Sequence, residues 1–149
     1  MRSRFLVLLV SAPLIFFLNG CPTIAPYSQK SYENATTIKA EALNLLSKAS
    51  NEDYDANKSK VDALKLDVEK AYEYANGIPK NERISQMWAL LMNENRKGTL
   101  FEVLDLWKEM HKLDPVFLYG IPEKNIPGIK DQIAREFDQI IGLESGKNR

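Results

Sequence analysis

Between residues 54 and 75 the apolar side chains Tyr54, Val61, Leu64, Val68, Ala71 and Ala75 recur at steps of seven, three and four. A strand would need a step of two. Steps of three and four place side chains on one stripe of an α-helix, with the spacing of a coiled-coil seam. A helix of this kind must lay its stripe against other helices. Ser50 is the expected cap of this helix, with Glu52 and Asp53 suiting the positive end of its first turn. Asn-Gly-Ile-Pro at 76–79 stops it, with Gly77 expected to turn left-handed and Pro79 unable to continue.

The segment before it has the same period. From Ser31, the residues Tyr32, Ala35, Ile38, Ala42, Leu45, Leu46 and Ala49 form one stripe. Two such helices joined by a short turn make an antiparallel hairpin. Beyond residue 80, Asn81 is the expected cap of a helix with Ile84, Met87, Trp88 and Leu91 on its apolar face. Thr99 and Glu102 have the spacing of a capping box, opening a helix rich in Leu100, Phe101, Val103, Leu104, Leu106, Trp107 and Met110. A helix so apolar around its circumference is expected at the centre of a core. Residues 114–128 are punctuated by proline, and a last helix is expected from Ile126 to Ile141, ended by Gly142. No long stretch alternates with period two. The expected fold is all-α, a small antiparallel helical bundle of about five helices beginning with a helical hairpin, over residues 31–145.

The N-terminus has a different character. Two arginines in "MRSR" precede an apolar run from Phe5 to Leu18, about 14 residues against the ~20 needed to span a bilayer. A basic head and a short apolar middle have the form of a secretory signal peptide. The run ends at "LNGC", where Leu18, Gly20 and Cys21 resemble the lipobox of bacterial lipoproteins; Asn19 departs from the small residue commoner at its position. The resemblance implies cleavage after residue 20 and diacylglycerol on the Cys21 thiol; Pro22 and Pro26 disfavour helix, so residues 21–30 read as a tether. One acyl chain holds reversibly, whereas two or three hold firmly. Pro22, rather than aspartate, follows the cysteine. In that family this implies the periplasmic face of the outer membrane. The body resembles small helical lipoproteins of bacterial envelopes.

Removing residues 1–20 takes away Arg2 and Arg4 and no acid, leaving 18 basic against 20 acidic side chains, a charge of −2. That balance does not suit nucleic acid, which calls for a basic face. Cys21 is the only cysteine, so a lipidated chain has no thiol for a disulfide, a metal or catalysis. His111 is the only histidine, and no second histidine or cysteine joins it as a metal ligand. It reads as a solvated side chain at the negative end of a helix. Carboxylates such as Glu69 and Glu73 alternate with lysines, as surface pairs do. Neither a nucleophile elbow nor a phosphate loop occurs. Asn34-Ala-Thr36 fits a glycosylation sequon and reads as a chance match.

The expectation is therefore no enzyme, no cofactor and no metal. The remaining reading is an envelope protein that binds the membrane through acyl chains on Cys21 and contacts another envelope protein. A carrier of a small apolar ligand is the alternative. Trp88, Trp107, Phe117 and Tyr119 are the candidate contact or pocket residues. Trp88 and Trp107 also fall on apolar stripes, where the core would claim them.

Overall fold

The computed structural model describes residues 24–113 and 120–148. Cys21, Phe117, Tyr119 and the side chain of His111 lie outside the described residues. The described chain folds into five α-helices and a short 3₁₀ turn: α1 Gln29–Leu46, α2 Tyr54–Asn76, α3 Glu82–Leu91, α4 Leu100–Leu113 and α5 Ile126–Gly146, with the 3₁₀ turn at Glu123–Asn125. No strand occurs among the described residues. The fold is the all-α bundle that the periodicity predicts. None of the described helices is long and apolar enough to cross a membrane.

α1 packs on α2 and α5, α2 on α3, and α3 on α5, so these four helices close a ring; α4 lies against α2. The stripe of α2 is buried along its whole length, from Tyr54 to Ala75. Asn57 shares that stripe, with its Nδ2 donating to the Asp53 carbonyl and to Glu52 Oε2, both at 3.0 Å. The centre is filled by Leu46, Val61, Trp88, Leu91, Leu104, Trp107, Ile133 and Phe137. Two edge-to-face aromatic pairs lock it: Tyr54 on Trp107, and Trp88 on Phe137. α4 buries Leu100, Phe101, Val103, Leu104 and Trp107, as its composition predicts, while Leu106 stays 39% exposed.

The helix ends differ from expectation at several points, each for a local reason. Asp53, not Ser50, caps α2, accepting from the Asp55 amide at 2.7 Å. Residues 47–52 instead continue the winding of α1 as turns, through bonds such as Ala49 N to Leu46 O. Gly77 stays right-handed at φ −74°. The left-handed residue is Lys80, at φ 64°, where the chain reverses after Pro79. Asn81 makes no side-chain cap. Its Nδ2 is drawn to the Ala75 carbonyl at 3.0 Å. The capping box is displaced by one residue: Glu102 accepts from the Gly98 amide, while the Thr99 hydroxyl donates to the Asn93 and Arg96 carbonyls. α5 runs past Gly142 to Gly146, because Glu144 continues its buried face beyond Ile140.

Residues 25–30, expected as part of a tether, belong to the folded body. α1 begins at Gln29, capped by Ser28, and Ala25 is already buried with its amide bonded to the Lys80 carbonyl at 3.1 Å. Residues 25–28 form a strap across one end of the bundle.

Candidate functional site

The two described aromatic candidates belong to the interior. Trp88 is 1% exposed and Trp107 is fully buried, each held by its edge-to-face partner. Neither presents a surface to a partner, and neither lines the surface concavities described below. Their periodicity marks them as core, and the core takes them.

Among the described residues no three metal-capable side chains come together. Glu69 and Glu73 are both exposed, as expected of a solvated face. One carboxylate stands apart. Glu136 is buried on α5, and Oε2 has no hydrogen-bond partner. Burial pushes its carboxyl above the usual range, and the Arg96 charge and the Gln132 side chain pull it back only in part.

The most extended surface feature is a groove along the seam of α1 and α2. Two open concavities, of about 320 and 570 Å³, share Glu41 and Asp67 and so run into one another. One end lies at Lys30, Lys70 and Tyr74, the other at Lys48 and Lys60. From Lys30 to Lys48 there are eighteen steps, sixteen of them within α1, and the span is ~27 Å at the helical rise. The groove exists because short side chains face one another across the seam: Asn34, Thr37 and Asn44 on α1, Ala63 on α2. Ile38, Leu45 and Leu64 form its floor. Lys30, Glu33 and Lys70 stand at one end, Glu41 and Asp67 at the middle, and Lys48 and Lys60 at the other end; Lys70 pairs with Asp67 at 2.9 Å and Lys48 with Glu52 at 3.2 Å. An elongated trough with an apolar floor and charged walls is the shape that receives an amphipathic helix.

A second feature lies at the strap. The Ser28 amide donates to Glu144 Oε1 at 2.6 Å, and Lys147 Nζ donates to Glu144 Oε2 at 3.0 Å and to Asn81 Oδ1 at 2.7 Å. Glu144 is fully buried, and the Lys147 side chain is 6% exposed. The Ser28 hydroxyl also meets the Tyr74 hydroxyl at 3.1 Å. A charged pair removed from water in this way persists only when its remaining polar atoms are satisfied, and here they are. The cluster joins the strap, the end of α2, the start of α3 and the end of α5.

Sequence reasoning finds neither feature. The groove results from missing bulk, which a hydrophobic period does not record. The buried ion pair lies in "LESGKNR", whose composition reads as a polar tail. Compared with known proteins, the chain matches no family model, no curated protein and no solved structure.

Proposed function

We propose that this chain is a lipid-anchored helical bundle of the bacterial envelope that acts by non-enzymatic contact with another envelope protein. The lipobox-like "LNGC" at 18–21 supports the anchor, and Pro22 favours the periplasmic face of the outer membrane. The α1–α2 groove is the observation that carries the contact. Its length suits a partner helix of about 18 residues. Lys48 and Lys60 at one end would favour an acidic end of the partner there.

A carrier of apolar ligands would need an interior pocket lined by the aromatic side chains. Trp88 and Trp107 are packed against Tyr54 and Phe137 instead, which favours the contact reading over the carrier.

The test places a photo-crosslinking residue in the groove, at Asn44 or Ala63, and on the opposite side at the exposed Ala89. Discrete adducts in cells from the groove positions alone, lost on the charge reversals Glu41→Lys and Lys60→Glu, support the reading. Adducts at background level from both groove positions would remove it.

A further inference from the structure

The strap shortens the distance between the anchor and the folded body, and this has a geometric consequence. Ala25 is buried and bonded to Lys80, so only Pro22, Thr23 and Ile24 separate it from Cys21. Four extended steps of about 3.5 Å reach no more than ~14 Å. A lipidated Cys21 therefore holds the end of the bundle that carries the strap close to the headgroups, while α2, 23 residues long, reaches ~34 Å away from that end.

The residues at that end fit such a position. Ile24 is 56% exposed and Tyr74 is 42% exposed, two of the four large hydrophobic side chains left open on the described surface. Ile24 lines a shallow concavity of about 110 Å³ together with Lys80, Arg83 and Leu143. Lys80 and Arg83 are exposed cations. Lys147, the third cation of that lining, is turned inward to Glu144. Glu82, between the two exposed cations in sequence, is the nearest opposing charge along the chain. An exposed apolar side chain, an amphipathic aromatic and cations are the set that settles at a bilayer interface.

We propose that this end of the bundle is seated on the anionic headgroups of the bilayer that holds Cys21, with Ile24 in the interface and Lys80 and Arg83 on lipid phosphates. The inference rests on the anchor of the preceding section. It adds an orientation: the Ser28–Glu144–Lys147–Asn81 cluster fixes the strap to the helices, so the bundle stands on its end and points the Lys48–Lys60 end of the groove away from the membrane. Each cation near an anionic surface is worth about a fivefold preference for the seated orientation.

The experiment uses the full acylated chain purified from membranes, placed in phosphatidylcholine vesicles with and without phosphatidylglycerol. Single nitroxides are attached at Gly77→Cys, beside the proposed contact, and at Asn51→Cys, in the turn at the far end of α1 and α2. A nickel-chelating lipid relaxes only labels near the headgroups. The expected result is strong relaxation at residue 77, weak at residue 51, with the contrast strengthened by phosphatidylglycerol. Lys80→Glu with Arg83→Glu should weaken it by an order of magnitude while the protein still sediments with the vesicles. Equal relaxation at both sites, or a contrast that ignores lipid charge and the double reversal, overturns the seating and leaves the anchor intact. A Gly77 label shielded from lipid and water alike would put a protein there and also overturn it. An unmodified Cys21 thiol by mass spectrometry removes the anchor and the seating together.

Discussion

The ring of Tyr54 meets the indole of Trp107 edge to face, with centroids 5.5 Å apart and planes at 88°. This contact closes the first turn of α2 onto α4, and both side chains are buried. Trp107→Ala is expected to destabilise the fold by about 3–5 kcal/mol, the range for a large aromatic removed from a packed core. Tyr54→Phe keeps the ring contact and should cost much less. Thermal or urea unfolding of the two variants checks the contrast; equal losses would mean that the aromatic pair is not what closes this junction.

Two glycines are required for different reasons, and their alanine variants should rank accordingly. Gly120 lies where an added Cβ would strike the backbone carbonyl of Ala49 and the Trp107 indole at 2.5 Å. Neither neighbour can yield cheaply, since Ala49 O also accepts from the Ile121 amide at 2.8 Å. Gly120→Ala should cost about 1–3 kcal/mol. Gly98 has φ 82°, and its added Cβ would meet the end of the Gln132 side chain, which must move away from Glu136. Gly98→Ala should cost about 1 kcal/mol, from the left-handed backbone and the disturbed Gln132 bond. Denaturant midpoints of the two variants should differ in that order.

Glu136 makes stability depend on pH in an unusual direction. Its folded-state carboxyl titrates above the ordinary value of 4.5, chiefly because it is buried. Between 4.5 and that raised value the folded state holds the proton more firmly than the unfolded chain. Stability from this group therefore falls as pH rises through the window and stays low above it. Glu136→Gln should raise the melting temperature at pH 7, and the gain should shrink as pH drops through that window and be gone below about 4.5. A gain that does not change with pH would assign the effect to packing instead.

The buried pair of Glu144 and Lys147 separates two kinds of loss. Glu144→Leu leaves the Lys147 ammonium buried with only Asn81 as acceptor, and should cost about 3–5 kcal/mol. Adding Lys147→Met removes the stranded charge and should restore part of it. What remains is the unpaired Ser28 amide and the Asn81 Oδ1 left without its donor, about 1 kcal/mol each. Chemical denaturation of the single and double variants measures the difference. A double variant as unstable as the single one would show that the strap bond, not the ion pair, carries the stability.

Lys65 joins three elements from the surface side. Its Nζ lies 2.8 Å from Asp105, 3.3 Å from Glu94 and 4.7 Å from the centre of the Phe101 ring. Burial lowers its tendency to hold a proton, but the two carboxylates outweigh this and raise it overall. Lys65→Met keeps the stem over Phe101 and loses the charge, so its cost should be about 1 kcal/mol and should shrink in high salt.

The helices were legible because each has an apolar stripe that one helix cannot bury by itself. The α2 stripe predicted at Tyr54, Val61, Leu64, Val68, Ala71 and Ala75 is buried at all six positions. The ends were less legible, because their bonds come from other elements. Asn81 has the sequence of a cap, yet the Ala75 carbonyl and the Lys147 ammonium compete for its amide and take it. Gly77 has the sequence of a left-handed stop, yet the turn is made three residues later, where Lys80 receives the bond from Ala25. The aromatic residues were legible as to place and ambiguous as to role, since one stripe serves for a core or for a binding face. Packing around Trp88 and Trp107 resolves that in favour of the core. The groove was invisible in sequence for the opposite reason, being made of residues too short to leave a periodic mark.

The bond from Ser28 to Glu144 spans 116 residues of sequence and brings the first and last turns of the folded body together. Any pull arriving through residues 22–24 would therefore be shared at once between α1, the final turn of α5 and the bend at Asn81, instead of unzipping α1 by itself. The body is fastened by both of its extremities at a single corner, so drag on its far end would act as leverage on that corner before it could unravel a helix.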